Sequence, residues 1–293
     1  MDAKNNSKGF SLVEVLISLL VLVVVAGAVF QAMAYYQRNY GSSRLRAVLH
    51  EGMRGAGELI TQEVGQAGSL DFTTHTTAAV VAMPTAQDVA LSPITSIFQG
   101  EELVVDTGSA EENVTVNTVN AGASTINATF NKAHALGALV RAYGVFPQGV
   151  LSSSTATELR IFGDINQDGN ITYVKYTCDT TAGTLSRSMT VVTPGTTASN
   201  ASDVLVSNLT ANPGGTACFQ YTSKTAGPFT FVTSVAITLS ARTSKVDPQT
   251  KQYVTMTKSF LNLAPRNVLM GLKLALSGSE IRLQPTPPGI PLT

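Results

Sequence analysis

Residues 8–34 read KGFSLVEVLISLLVLVVVAGAVFQAMA, and from Val15 to Phe30 only Ser18 and Gly27 interrupt the apolar side chains. Taken from Phe10 to Ala34, the run reaches the length of about 20 residues with which a helix crosses a bilayer core. Lys4 and Lys8 precede it and no basic residue lies within it, which keeps the amino terminus on the cytoplasmic side. Three readings fit so far. The segment is a secretory signal cut at Ala26-Gly27-Ala28, a plain membrane anchor, or an anchor with a short leader removed ahead of the apolar run. Glu14 separates them. A carboxylate there costs about 2.5–3.5 kcal/mol on insertion scales, so a bare signal or anchor gains by lacking it.

Working outward, residues 37–68 hold no proline and keep a helical period. Leu45, Val48, Leu49, Met53, Ala56, Ile60, Val64 and Ala67 recur at three- and four-residue steps, while Arg44, Arg46, Arg54, Glu58 and Glu63 take the wetter sides. One helix over 10–68 is predicted, roughly 85–90 Å long at 1.5 Å per residue. Its first half is apolar all round and its second half amphipathic. That is the signature of a helix whose start packs among other helices and whose end packs on its own domain.

Past Gly68 the texture turns to β. Runs at 101–106, 113–120, 125–130, 138–143, 158–162, 171–177, 184–192, 229–240 and 252–263 are predicted strands, punctuated by Gly, Asn, Asp, Ser and Pro. The fold class is therefore α+β, with a β-rich domain over 69–268 and a 269–293 extension. Within that extension Met270–Leu276 is a short apolar element, and the proline-rich stretch from Gln284 reads as a flexible tail. Residues 92–143 make a compact β module, similar to small modules of bacterial surface proteins. Charged residues are only 13% of the chain and the net charge is zero, so a nucleic-acid partner has no electrostatic footprint.

Catalytic signals are lacking. His50, His75 and His134 are far apart and without metal-ligand spacing, and His134 reads as a structural histidine. No nucleophile elbow, P-loop or dinucleotide fingerprint occurs, and no enzymatic activity is expected. The sharpest internal motif is Asp164-Ile165-Asn166-Gln167-Asp168-Gly169-Asn170-Ile171-Thr172, which matches the first half of an EF-hand loop. Its twelfth position is Lys175, where a bidentate Glu belongs. Two readings stay open: a hairpin turn around Asp168-Gly169, and a weak calcium site with Asp164, Asn166 and Asp168 as ligands. No other cofactor is expected.

Lys8-Gly9-Phe10-Ser11-Leu12-Val13-Glu14 resembles the prepilin processing motif of type IV pilins and type II secretion pseudopilins. The resemblance implies a leader over 1–9, cleavage between Gly9 and Phe10 by a prepilin peptidase, and N-methylation of Phe10 by the same machinery. Glu14, fifth in the mature chain, would neutralise an α-amine inside a filament core and so serve assembly. Two further segments, 49–54 leading to Gln66-Ala67-Gly68 and the closing Leu263-Ala264-Pro265-Arg266-Asn267-Val268, resemble PilW-type minor pilins and GspJ-type pseudopilins. The implied partners are other pilin subunits through the helix, the peptidase and the inner membrane. The implied location is the bacterial inner membrane before assembly, then the periplasm and an extracellular pilus. The roles implied are pilus initiation, tip display and adhesion by the 92–143 module, against the alternatives of a pseudopilin or a β-domain adhesin without a filament. In an exported chain Cys178 and Cys218 pair as one disulfide, worth roughly 3–4 kcal/mol by loop closure. Two buried free thiols are the alternative.

Overall fold

The computed structural model describes residues 10–70, 73–192 and 201–291. The long helix expected over 10–68 is α1, Leu12–Gln66, 55 residues without a break. The chain divides into two compact units, one of 1–50 with 243–254, the other of 51–242 with 255–293.

In the first unit no residue of the apolar window of α1 is buried among the described residues. One turn-forming segment, Thr243–Val254, joins this unit. Asp247, fully buried, accepts hydrogen bonds from Ser42 Oγ at 2.9 Å and Arg46 at 3.2 Å. The backbone N–H of Gln249, at 2.8 Å, also donates to this carboxylate, and the N–H of Lys251 donates to the Asp247 carbonyl at 2.9 Å. The segment thus closes on itself while holding Ser42.

The second unit is built from the end of α1, three antiparallel sheets and a short helix. β1 (Thr74–Thr77), β2 (Gln87–Ser92), β3 (Glu102–Val105), β4 (Glu112–Thr115), β5 (Thr118–Asn120), β6 (Thr125–Ala128) and β7 (Leu139–Ala142) form a seven-stranded sheet ordered β4-β3-β7-β1-β2-β6-β5. β8 (Glu158–Gly163), β9 (Thr172–Asp179), β10 (Thr184–Val191) and β11 (Asp203–Ser207) form the second, ordered β11-β10-β9-β8. In the third, β14 (Phe229–Arg242) pairs with β12 (Leu209–Thr210), β13 (Phe219–Ala226) and β15 (Thr255–Leu263). α2 (Arg266–Leu276) covers Phe231, Ala226 and Val145 with Val268 and Leu272.

The apolar period of α1 is used as expected in this unit: Met53, Ala56, Ile60, Val64 and Ala67 are all buried. Gly57 lets the helix come close, since a Cβ there would stand 1.9 Å from the Phe260 ring. Two residues past the end of α1, Gly68 has a φ of +79° that suits glycine and turns the chain out of the helix. Its N–H donates to the Phe162 carbonyl at 2.8 Å, and its carbonyl accepts from Phe146 at 3.0 Å. Gly149 packs so close that a Cβ would lie 2.2 Å from the Gly68 nitrogen.

The two segments singled out by resemblance meet here, although about 200 positions separate them. Asn267 Nδ2 donates to the carbonyls of Gln66 at 3.2 Å and Ala67 at 3.4 Å. These are helix-end carbonyls beyond the reach of the helix's own i+4 donors; that of Gln66 also accepts Ser69 N–H at 2.9 Å.

Four expectations are revised. The run 113–120 is two strands, because the chain changes partner: Val116 N–H donates to Glu101 at 2.9 Å, then Asn117 N–H to Asn127 at 2.8 Å. The sheet of the 92–143 module begins earlier, at Thr74, with β1 inserted between β7 and β2. Of the stretch from Gln284 expected as a flexible tail, residues 284–291 pack instead, and 292–293 lie outside the described residues. Gln284 is fully buried, donating to the carbonyls of Glu102 at 2.9 Å and Tyr143 at 3.2 Å, and Ile290 joins the core of the seven-stranded sheet. β1, β2, β11, β12 and β13 lay outside the predicted strands. β1 buries His75 and Thr77, and most of β13 is exposed, so neither shows an apolar alternation.

Candidate functional site

The residues that carry the functional reading begin α1. Gly9, expected before the scissile bond, lies outside the described residues, as do Lys4 and Lys8. Phe10 is exposed just ahead of the helix. Ser11 is the residue before the first helical position. Its Oγ accepts the N–H of Val13 at 3.3 Å, and its own N–H donates to Glu14 Oε2 at 3.0 Å. Ser at the N-cap and Glu three residues on each satisfy a backbone N–H of the first turn, a capping-box arrangement in which the serine reaches Val13 and not Glu14. The carboxylate also faces the positive end of the helix dipole. Glu14 therefore has a partner within its own chain, the start of α1. Sequence reasoning gave it only a partner in a neighbouring subunit, although Ser-x-x-Glu before an apolar run was legible.

A second group fixes the other half of α1 to the sheet. Glu63 is buried and receives Arg187 Nε at 3.2 Å, a second Arg187 nitrogen, and the Tyr176 hydroxyl. Burial opposes the charge on Arg187, yet hydrogen bonding and Coulombic attraction to Glu63 hold its pKa above the ordinary value. Burial, then the adjacent Glu63 carboxylate, pushes the Tyr176 hydroxyl far up, so it acts as a donor at every physiological pH. The sequence placed Glu63 on a wet side of the helix. Nothing local signals its partner, since Arg187 is 124 positions away.

Cys178 on β9 and Cys218, just before β13, are joined by a disulfide that ties the second sheet to the third. Both are buried.

Asp164, Asn166 and Asp168 lie in the loop between β8 and β9. Asp164 is buried, and its carboxylate accepts Asp168 N–H at 3.0 Å and Gly169 N–H at 3.3 Å. Asp168 accepts Asn170 N–H at 2.9 Å, while the Asn166 amide points to Met189 Sδ at 3.8 Å. Lys175 pairs with Glu158 at 3.8 Å. The three side chains thus serve the turn's own backbone and a neighbouring strand, and among the described residues no group of three or more His, Cys, Asp or Glu is set to hold a metal ion.

His134 stands between Glu112, at 2.7 Å, and Asp106, at 3.1 Å, with its ring buried. The hydrogen bond from His134, then that from Thr107 N–H, holds the Asp106 carboxyl below the usual range. This arrangement bolts together the connections around β3 and β4 and leaves no open ligand position on the ring.

The model of one family, the prokaryotic N-terminal methylation motif, matches residues 4–30. No curated protein and no solved structure matches the chain. The matched stretch takes in the Gly9–Phe10 junction, the Ser11–Glu14 cap and most of the exposed apolar run. It supports a type IV pilin-like amino terminus and, with the apolar helix, an inner-membrane anchor before assembly.

Proposed function

We propose that this chain is a minor type IV pilin of the PilW type, a non-enzymatic subunit that takes part in pilus initiation and displays its β domain. One observation carries the reading: the methylation motif at 4–30 runs without a break into an exposed apolar helix whose far half is bolted to a β domain. A secretory signal has no use for that continuity, because it is cut away from the domain it exports. Cleavage after Gly9 would give Phe10 an α-amine one residue from Ser11, whose N–H Glu14 already holds. The carboxylate would then neutralise that amine, from its own chain or a neighbour, when the apolar helices pack. A GspJ-type pseudopilin would share this amino terminus, and genomic neighbours separate the two. The 164–172 loop is read here as a structural turn, and the seven-stranded sheet as the adhesive surface.

The test is the amino-terminal mass of protein recovered from cells. The expected species begins with N-methylated Phe10. A species beginning at Val29 would make the segment an ordinary signal peptide and remove the filament reading.

A further inference from the structure

From Tyr35 the helix changes character within one turn. Tyr35, Tyr36 and Tyr40 are exposed, Arg38 and Arg44 stand among and just after them, and no acid occurs between Tyr35 and His50. The apolar run from Phe10 to Ala34 has the length of a bilayer core with modest tilt, which sets these tyrosines where amphipathic rings collect at the membrane–water boundary. The Thr243–Val254 segment is held to the same stretch of helix. Asp247 bonds Ser42 and Arg46, a Cβ on Gly41 would stand 3.4 Å from Pro248 Cγ, and Gln249 reaches Asn39. Ser42 and Tyr35 are seven residues apart, on one face and separated by about 10 Å along the axis.

What this segment turns outward is basic and amphipathic. Lys245 and Lys251 are exposed, as are Val246 and Tyr253. Its only acid, Asp247, is buried and already satisfied by Ser42, Arg46 and backbone N–H groups. Arg38, Arg44, Lys245 and Lys251 are each exposed, and with no acid in 35–50 and none exposed in 243–254 this level of the unit complements anionic headgroups.

We infer that the Thr243–Val254 segment is a membrane-surface foot, which seats Lys245, Lys251 and Val246 on anionic lipid headgroups beside the Tyr35–Tyr40 girdle. The inference rests on the reading of α1 as a membrane anchor. The foot would fix the rotation and depth of the anchored subunit, and it would be released when the helix leaves the bilayer.

The chain has no tryptophan, so a single indole reports without background. The full-length Val246→Trp chain is reconstituted in vesicles of phosphatidylcholine alone, and of phosphatidylcholine with about one third phosphatidylglycerol. Both carry a headgroup-level nitroxide quencher. The expected result is quenching about twofold or more greater on the anionic vesicles, with the excess lost in about 1 M salt, where the Debye length is about 3 Å. Lys245→Glu with Lys251→Glu, in the same background, is expected to abolish the excess while the chain still floats with the vesicles. Equal quenching on both compositions overturns the inference, as does a chain that floats with its indole unquenched. Emission that follows protein density instead of lipid charge gives the surface to a second copy of the chain and overturns it too. A chain that fails to float with either vesicle overturns the membrane anchor itself, and the inference falls with it.

Discussion

Glu63→Ala tests the buried cluster that joins the end of α1 to the second sheet. The substitution removes the only carboxylate that Arg187 is shown to bond and the acceptor of the Tyr176 hydroxyl. Arg187 keeps only 15% of its side-chain surface and Tyr176 is fully buried. Breaking a buried ion pair from one side costs about 3–5 kcal/mol, because the remaining charge stays desolvated. For a domain of this size each kcal/mol shifts the midpoint by roughly 2–4 °C, so the expected loss is on the order of 10 °C. The assay is thermal unfolding of the detergent-solubilised full chain, followed by near-ultraviolet circular dichroism of the tyrosines. Arg187→Met combined with Glu63→Ala should recover most of the loss, since no uncompensated charge then remains. A midpoint for Glu63→Ala within about 2 °C of the parent would refute the reasoning, and so would a double variant as unstable as the two single losses summed.

Reducing the Cys178–Cys218 bond, which closes a separation of 40 residues, should cost about 4 kcal/mol by loop-closure entropy, read as a fall in the unfolding midpoint under reductant. The Asp247 carboxyl is held down at about 2, first by Gln249 N–H against the opposing effect of burial, then by Ser42 and Arg46. Because its folded value lies below the ordinary value of about 3.9, its contribution is complete above that pH and is lost as pH falls toward 2. Pepsin should therefore begin to cut the Thr243–Val254 segment between about pH 4 and 2, and Asp247→Asn should make it sensitive across that whole range; cleavage of the parent that ignores pH would contradict this. Calcium at millimolar concentration should leave the midpoint of unfolding unchanged, since Asp164 already serves the backbone of its turn. A rise of several degrees, abolished by Asp164→Asn, would make Asp164, Asn166 and Asp168 ligands after all.

The amino-terminal helix is a local matter, and it was legible from the residues alone. A run of apolar side chains with no proline, followed by a three-and-four period, leaves a helix as the only way to satisfy the backbone, and Ser11-x-x-Glu14 even marks its first turn. The motif at 4–30 is likewise contiguous, so position in the chain is enough to find it. What joins distant positions was not legible. Glu63 looks like any charged residue on a helix until Tyr176 and Arg187 close over it. Asn267 looks like a turn residue until it stands over the Gln66 and Ala67 carbonyls. Gln284 sits in a proline-rich stretch whose composition suggests flexibility, yet two carbonyls from separate segments take its amide. The break at Val116 follows from a change of hydrogen-bonding partner, for which a β-branched run carries no mark. Periodicity and end caps arise from contacts within four residues, which the order of residues encodes directly. Buried polar pairs, strand order and the docking of Asp247 on Ser42 arise from contacts across up to about two hundred residues, and those exist only once packing has removed the competing water.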